Sequence, residues 1–217
     1  MSDLLASGRE ADIFRYGDGL VLRRHRGGRD TTGEAATMTY VGGLGFPVPA
    51  VHRAEGADMV LEHLAGPTMA QALMSGDMAM TSGAMMLADL MRRLHALPPW
   101  PGAEPGTVIT HLDLHPENVI ITARGPVVID WTNAMANDPD LDVAMTALIV
   151  AEVAVGAFEH PLAGRVGEFL DAFLECAPGD PRRHLDRAVR IRTAQPTMSD
   201  QERRLFPRAV ARVRGEA

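Results

Sequence analysis

Within the stretch HLDLHPENVI, residues 111–120, two histidines and an aspartate stand at alternate positions: His111, Asp113 and His115. Alternate residues of an extended segment face one side, so the three could converge on a zinc ion or serve a metal-dependent hydrolase. Pro116 turns the chain immediately afterwards, however, and no Cys/His/Asp cluster elsewhere completes an evident ligand set. A second grouping takes Asp113 together with Asn118 and with Asp130, the acid in VVIDW at 127–131. An amide oxygen and a carboxylate are hard ligands suited to Mg²⁺, and Asp113 beside them is placed to receive a proton. Phosphoryl transfer requires that layout: one residue positions a hydroxyl nucleophile while others hold the metal on the phosphates.

Periodicity and turn chemistry place these residues on an α+β scaffold. Ile13 and Phe14 lead through Tyr16, Gly17, Asp18 and Gly19 into Leu20, Val21 and Leu22, the pattern of a hairpin. A helix is expected from Thr31, where Thr31 and Glu34 have the spacing of a capping box, until the glycines at 42, 43 and 45. FPVPAV runs extended and DMVLEHL reads as a strand ending at Gly66 and Pro67. Beyond that boundary the texture becomes helical. Leu87, Leu90, Met91, Leu94 and Leu97 recur at helical spacing before Pro98. Val119–Thr122 and Val127–Ile129 flank the turn Ala123, Arg124, Gly125, Pro126, a hairpin that would bring Asn118 and Asp130 together. Leu141 to Val155 is a strongly apolar helix ended by Gly156, and two or three further helices fill the remainder. Strands first and helices afterwards imply two lobes.

Composition limits the chemistry further. The 217 residues suffice for one well-packed domain or two small lobes, and no apolar run approaches the roughly 18 residues needed to cross a bilayer. MSDLLASGRE lacks the basic flank and long apolar stretch of a secretory signal, and the single cysteine, Cys176, has no internal partner, so a reducing cytoplasm is expected. All 21 cationic side chains are arginine, which excludes lysine Schiff bases and the GxxxxGK[ST] phosphate loop. Residues 1–180 carry 11 arginines against 24 acids, whereas 181–217 carry 10 against 4. Tail helices lying against an acidic body explain this asymmetry, and an acidic body would also attract cationic substrates. No aromatic or Gly-rich pattern accompanies the basic tail, so neither nucleic acid nor membrane is expected as a partner.

HLDLHPENVI followed by VVIDW resembles the catalytic loop and metal-binding acid of the protein-kinase-like superfamily, and more narrowly of the aminoglycoside phosphotransferase and choline kinase family. The kinase pattern HRDLxxxN, then DFG, is matched at His111, Asp113, Leu114, Asn118 and Asp130, with Trp131 at the phenylalanine position. SGREADIF resembles the family's nucleotide loop, LEHLAGPTM its hinge and DPDLDVA the segment after the metal acid. His115 stands where protein kinases usually carry lysine. Only seven residues separate Asp130 from Asp138, which leaves no room for an activation segment and makes a protein substrate unexpected.

The resemblance implies a small antiparallel N-terminal lobe with one helix over residues 1–61, a hinge at 62–66 and a mainly helical lobe over 67–217. It implies Mg²⁺ held by Asn118 and Asp130, ATP or GTP as donor, and Asp113 acting on the hydroxyl of a small acceptor such as an aminoglycoside or an amino alcohol. Ser7 and Gly8 fall in the nucleotide loop, Glu62 and Leu64 in the hinge that faces the base, and His115 near the transferred phosphate. The family's phosphate-binding lysine has no counterpart. Arg23 takes its place, because Val21 and Arg23 share a strand face as alanine and lysine do in VAIK, with Glu34 as partner. The missing lysine and the glycine-poor loop keep a second reading open, a nucleotide-binding pseudokinase that regulates a partner. The methionines at 69, 74, 78, 80, 85, 86 and 91 could line an acceptor pocket or fill core gaps.

Overall fold

Strand-forming residues open the chain in the computed structural model, which describes residues 3–8, 10–157, 160–195 and 198–216. Met1 and Ser2 of MSDLLASGRE and Arg9 of SGREADIF lie outside the described residues. Strands β1 (Leu4–Ser7), β2 (Ala11–Arg15) and β3 (Leu20–His25) are followed by helix α1 (Thr32–Gly43) and by β4 (Val51–Glu55) and β5 (Asp58–Glu62). They form one antiparallel sheet in the order β1-β2-β3-β5-β4. Gly17 and Gly19 take φ of 68° and 70° in the β2–β3 turn, a conformation that glycine adopts without steric cost. Val21, Leu22, Met59, Val60 and Leu61 are buried along the two central strands, β3 and β5.

The chain divides into two compact units, residues 1–66 with 120–134, and residues 67–119 with 135–217. No shift in composition marks the return of 120–134 to the first unit. Strand β7 (Val119–Thr122) pairs with β8 (Gly125–Val128), so the second strand starts two residues earlier than turn chemistry suggested. The Thr122 hydroxyl accepts from the Arg124 N–H and donates to the Gly125 carbonyl, which tightens the turn and frees Gly125 for the strand. The expected capping box of α1 does not form. The Thr31 hydroxyl donates to the carbonyls of Gly56 and Asp58, and Asp30 accepts from the Thr32 N–H.

In the second unit, α2 (Met69–Ser75) starts from a true capping box between Thr68 and Gln71. Helix α3 (Met80–His95) buries Leu87, Leu90, Met91 and Leu94 on one stripe. Strands β6 (Val108–Thr110) and β9 (Met135–Asn137) pair antiparallel. Helix α4 (Pro139–Ala154) starts two residues earlier than its apolar run, because Asp138 caps it by accepting from the Asp140 N–H. It is apolar on every side and buried from Asp140 to Val153, as expected of a helix at the centre of a core. Helices α5 (Val166–Cys176), α6 (Leu185–Thr193) and α7 (Asp200–Arg214) pack around it. Arg183, Arg192 and Arg212 of the basic tail pair with Asp140, Glu152 and Asp171 of the acidic body. Met69, Met80 and Met91 are core residues, while Met74 and Met85 are exposed. Among the described residues no helix is long and apolar enough to cross a membrane.

Candidate active site

The loop that carries Asp113 is tied down from α4 on both sides. Leu112 has φ of 60°, an uncommon value for a residue with a branched side chain, so the strand's alternation breaks between His111 and Asp113. His111 is fully buried, whereas the Asp113 side chain keeps 25 % exposure. Asp142, also fully buried, accepts from the backbone N–H of His111 at 3.1 Å and of Leu112 at 2.6 Å. One helical turn later the Thr146 hydroxyl donates to the Leu114 carbonyl at 2.8 Å. Asp113 therefore projects from a backbone gripped just before and just after it.

Burial alone would raise the Asp142 pKa, but His95, His111 and the Leu112 N–H together hold it below the ordinary aspartate value. His95 Nε2, at the end of α3, lies 2.9 Å from Asp142 Oδ2. A buried carboxylate with a histidine and two backbone donors is satisfied at every side, which a lone buried charge would not be. Asp142 is thus a buried partner of His95 and of the loop backbone, while the cap of α4 is Asp138. Sequence reasoning did not find His95 or Thr146. The spacing of Asp142 and Thr146 on one helix face was the available signal.

Asn118 sits in the 3-10 turn Pro116–Asn118. Its Nδ2 donates to the Asp113 carbonyl at 2.8 Å and lies 3.4 Å from Asp113 Oδ2 and 3.2 Å from His115 Nε2. With the amide nitrogen committed to the loop, Oδ1 is the atom left to act as a ligand. His115 Nε2 is 3.8 Å from Asp113 Oδ1. The second unit thus brings Asp113, His115 and Asn118 together and turns His111 inward. Among the described residues no group of three or more His, Cys, Asp or Glu side chains is arranged to hold a metal, so the alternation of His111, Asp113 and His115 does not make a zinc site.

Arg23, Glu34 and Asp130 belong to the first unit. Arg23 Nη1 donates to Glu34 Oε1 at 2.5 Å, and Arg23 Nη2 lies 3.8 Å from Asp130 Oδ1. Burial acts to lower the Arg23 pKa, but Glu34 and Asp130 outweigh it and hold the guanidinium charged. Arg24, on the other face of β3, pairs with Asp58 instead. Asp130 has φ of 62° and its side chain is 45 % exposed, so its carboxylate oxygens are available to a hard cation. Trp131 is buried edge-on against Phe46 with ring centroids 5.6 Å apart, and its indole N–H donates to the Val128 carbonyl.

Ser7 ends β1 and Gly8 follows it. Arg26, one residue beyond β3, donates to the Ser7 hydroxyl, to the Gly8 carbonyl at 2.8 Å and to both carboxylate oxygens of Asp12. An arginine thus braces a loop that has few glycines. At the end of β5, the Glu62 N–H donates to the Ala50 carbonyl, and its carboxylate pairs bidentately with Arg124 at 2.6 and 2.8 Å. Sequence reasoning also missed the pair Glu152–Arg192, bidentate at 2.9 and 2.8 Å, in which a fully buried acid of α4 meets an arginine of α6. The field of Asp113 reaches Arg192 and helps keep it charged.

Residues 79–185 match the family described as the phosphotransferase enzyme family. No curated protein matches the chain. Among solved structures, a choline/ethanolamine kinase family protein from Mesorhizobium loti aligns over 100 % of this chain and 87 % of its own, at 18 % identity and a TM-score of 0.59. The choline kinase LicA of Streptococcus pneumoniae aligns over 99 % and 94 %, at 14 % identity and a TM-score of 0.57. The ADP-bound aminoglycoside phosphotransferase APH(2'')-Ib aligns over 97 % and 90 %, at 12 % identity and a TM-score of 0.56.

Proposed function

We propose that this chain, in which residues 79–185 belong to the phosphotransferase enzyme family and whose fold is protein-kinase-like, transfers the γ-phosphate of ATP or GTP to a hydroxyl of a small molecule. The observation that carries the reading is the loop of the second unit: a partly exposed Asp113 on a backbone held by Asp142 and Thr146, with Asn118 bonded to it through nitrogen only. A binding module has no use for a carboxylate fixed so firmly and left open to solvent.

In this reading Asp113 orients the acceptor hydroxyl and takes its proton as the new P–O bond forms and the Pγ–O bond to the β-phosphate breaks, releasing the nucleoside diphosphate. Asn118 Oδ1 and the Asp130 carboxylate would be the oxygen ligands for Mg²⁺, since both are hard donors of the kind that ion takes. Bound there, Mg²⁺ would offset the charge of the phosphates. Arg23 neutralises phosphate oxygens, Ser7 and Gly8 border the triphosphate, and main-chain groups from Glu62 to Leu64 face the base, with His115 beside the transferred group. Positioning and charge neutralisation supply most of the acceleration, since the protein forms no covalent bond itself. The named neighbours, choline kinases and an aminoglycoside phosphotransferase, together with the net charge of −7, favour an amine-bearing alcohol as acceptor. The single cysteine supports a cytoplasmic reaction.

A second reading, a nucleotide-binding module without transfer, draws on Arg23 being engaged by Glu34 and facing Asp130. The test is transfer of labelled γ-phosphate from ATP or GTP with Mg²⁺ to a panel of aminoglycosides, choline-like alcohols, macrolides and sugars. Label on one acceptor class supports the kinase reading and names the substrate. Metal-dependent nucleotide binding with no label on any acceptor or on water favours the module.

A further inference from the structure

Thr132, two residues beyond Asp130, is assigned no role by the motif, whose third position is glycine. Its hydroxyl is nevertheless fully used inside the first unit. It donates to Glu34 Oε2 at 3.1 Å and accepts from Arg23 Nη2 at 3.1 Å. The Thr132 carbonyl accepts from Arg29 Nη2 at 3.2 Å, and the Trp131 N–H donates to Glu34 Oε1 at 3.0 Å. Both residues that follow Asp130 are thereby fastened to Glu34, and the second is fastened to Arg23 and Arg29 as well.

Asp130 needs such fastening. Its φ of 62° lies in the left-handed region, which L-residues adopt less readily than glycine and which neighbouring contacts help to hold. The Arg23 and Glu34 side chains are only 11 % and 7 % exposed, so a bond lost there is not replaced fully by water. The geometry also depends on a guanidinium. Its two terminal nitrogens bond Glu34 and Thr132 at once, with the second one facing Asp130, whereas an ammonium on a flexible stem is a point charge without that planar fork.

We propose that Thr132 is a positioning residue for Asp130, acting through Arg23 and Glu34, and that it makes this site depend on arginine rather than lysine at position 23. The proposal rests on the reading of Asp130 as a ligand of nucleotide-bound Mg²⁺. Restoring the family's lysine in this chain is therefore expected to weaken the site.

The test compares wild type with Thr132→Val, Thr132→Ser, Arg23→Lys and Arg23→Lys/Thr132→Val. Calorimetry measures ADP affinity in saturating Mg²⁺ and in EDTA, and melting temperatures report folding. Thr132→Val should weaken the Mg²⁺-dependent affinity about tenfold with little change in EDTA, while Arg23→Lys, which also alters a direct phosphate contact, should weaken binding about tenfold in Mg²⁺ and measurably in EDTA as well. Thr132→Ser, which keeps the hydroxyl, should bind as wild type does. The double variant should lose less than the product of the two single losses, because the Arg23–Thr132 bond is removed by both. Equal binding by Thr132→Val and wild type, fully multiplied losses in the double variant, or the same loss in Thr132→Val with and without Mg²⁺ would each overturn the proposal. Wild type that shows no Mg²⁺-dependent ADP binding would instead overturn the kinase reading, and the proposal with it.

Discussion

Asp142 concentrates more constraints than any titratable residue of the second unit: full burial, two backbone donors and His95. Its pKa lies below the ordinary aspartate value of 3.8, so it contributes stability in full above that value and loses it as pH falls through the lowered one. Asp142→Asn should accordingly be less stable than wild type at neutral pH, with the gap closing as pH drops below 3.8. Urea unfolding of both proteins at a series of pH values measures this, and a gap independent of pH would contradict it. The arrangement also shows why some residues were legible in the sequence and others were not. Asp113, Asn118 and Asp130 occur in a short stretch with fixed spacing. Asp142 and His95 lie 47 residues apart and meet only through the packing of α3 against the core. Glu34 has the spacing of a capping residue, yet a buried arginine on β3 is a stronger partner than an exposed helix N–H.

Among the elements, α4 links the core to the chemistry. Buried along nearly its whole length, it cannot slide toward solvent, and the polar contacts of Asp142 and Thr146 carry that rigidity to the loop. Thr146→Val keeps the shape but leaves the buried Leu114 carbonyl without its donor. Turnover should fall about tenfold while nucleotide affinity stays within about twofold, since the lost bond orients Asp113 and not the donor. Steady-state kinetics beside direct nucleotide binding separate the two, and an equal loss in both would show that the loop merely unfolds. Gly66 serves the first unit differently. It has φ of +147°, and a Cβ there would collide with the Ile121 carbonyl oxygen. Gly66→Ala should destabilise the protein by about 2 kcal/mol or more, read from its urea midpoint. The glycine was visible in the sequence as the end of a strand, but its close approach to β7 was not. Strands β6 and β9 were missed for another reason: three residues each are too few to display alternation.

For the whole molecule, part of the uneven charge along the chain resolves into pairs. Arg183, Arg192 and Arg212 of the tail bond Asp140, Glu152 and Asp171 and help hold the last helices to the rest of the second unit. The kinase-like architecture follows from a sheet-forming start and a helix-forming remainder, both legible from periodicity, whereas the return of 120–134 to the first unit required tertiary contacts to see. The account as a whole turns on Asp113 receiving the proton of an acceptor hydroxyl. The measurement that addresses it most directly is γ-phosphate transfer by Asp113→Asn beside wild type, with Mg²⁺–nucleotide affinity determined on the same samples. The account predicts a loss in turnover of roughly 10²- to 10⁴-fold with nucleotide affinity nearly unchanged. Full turnover in the variant would contradict it.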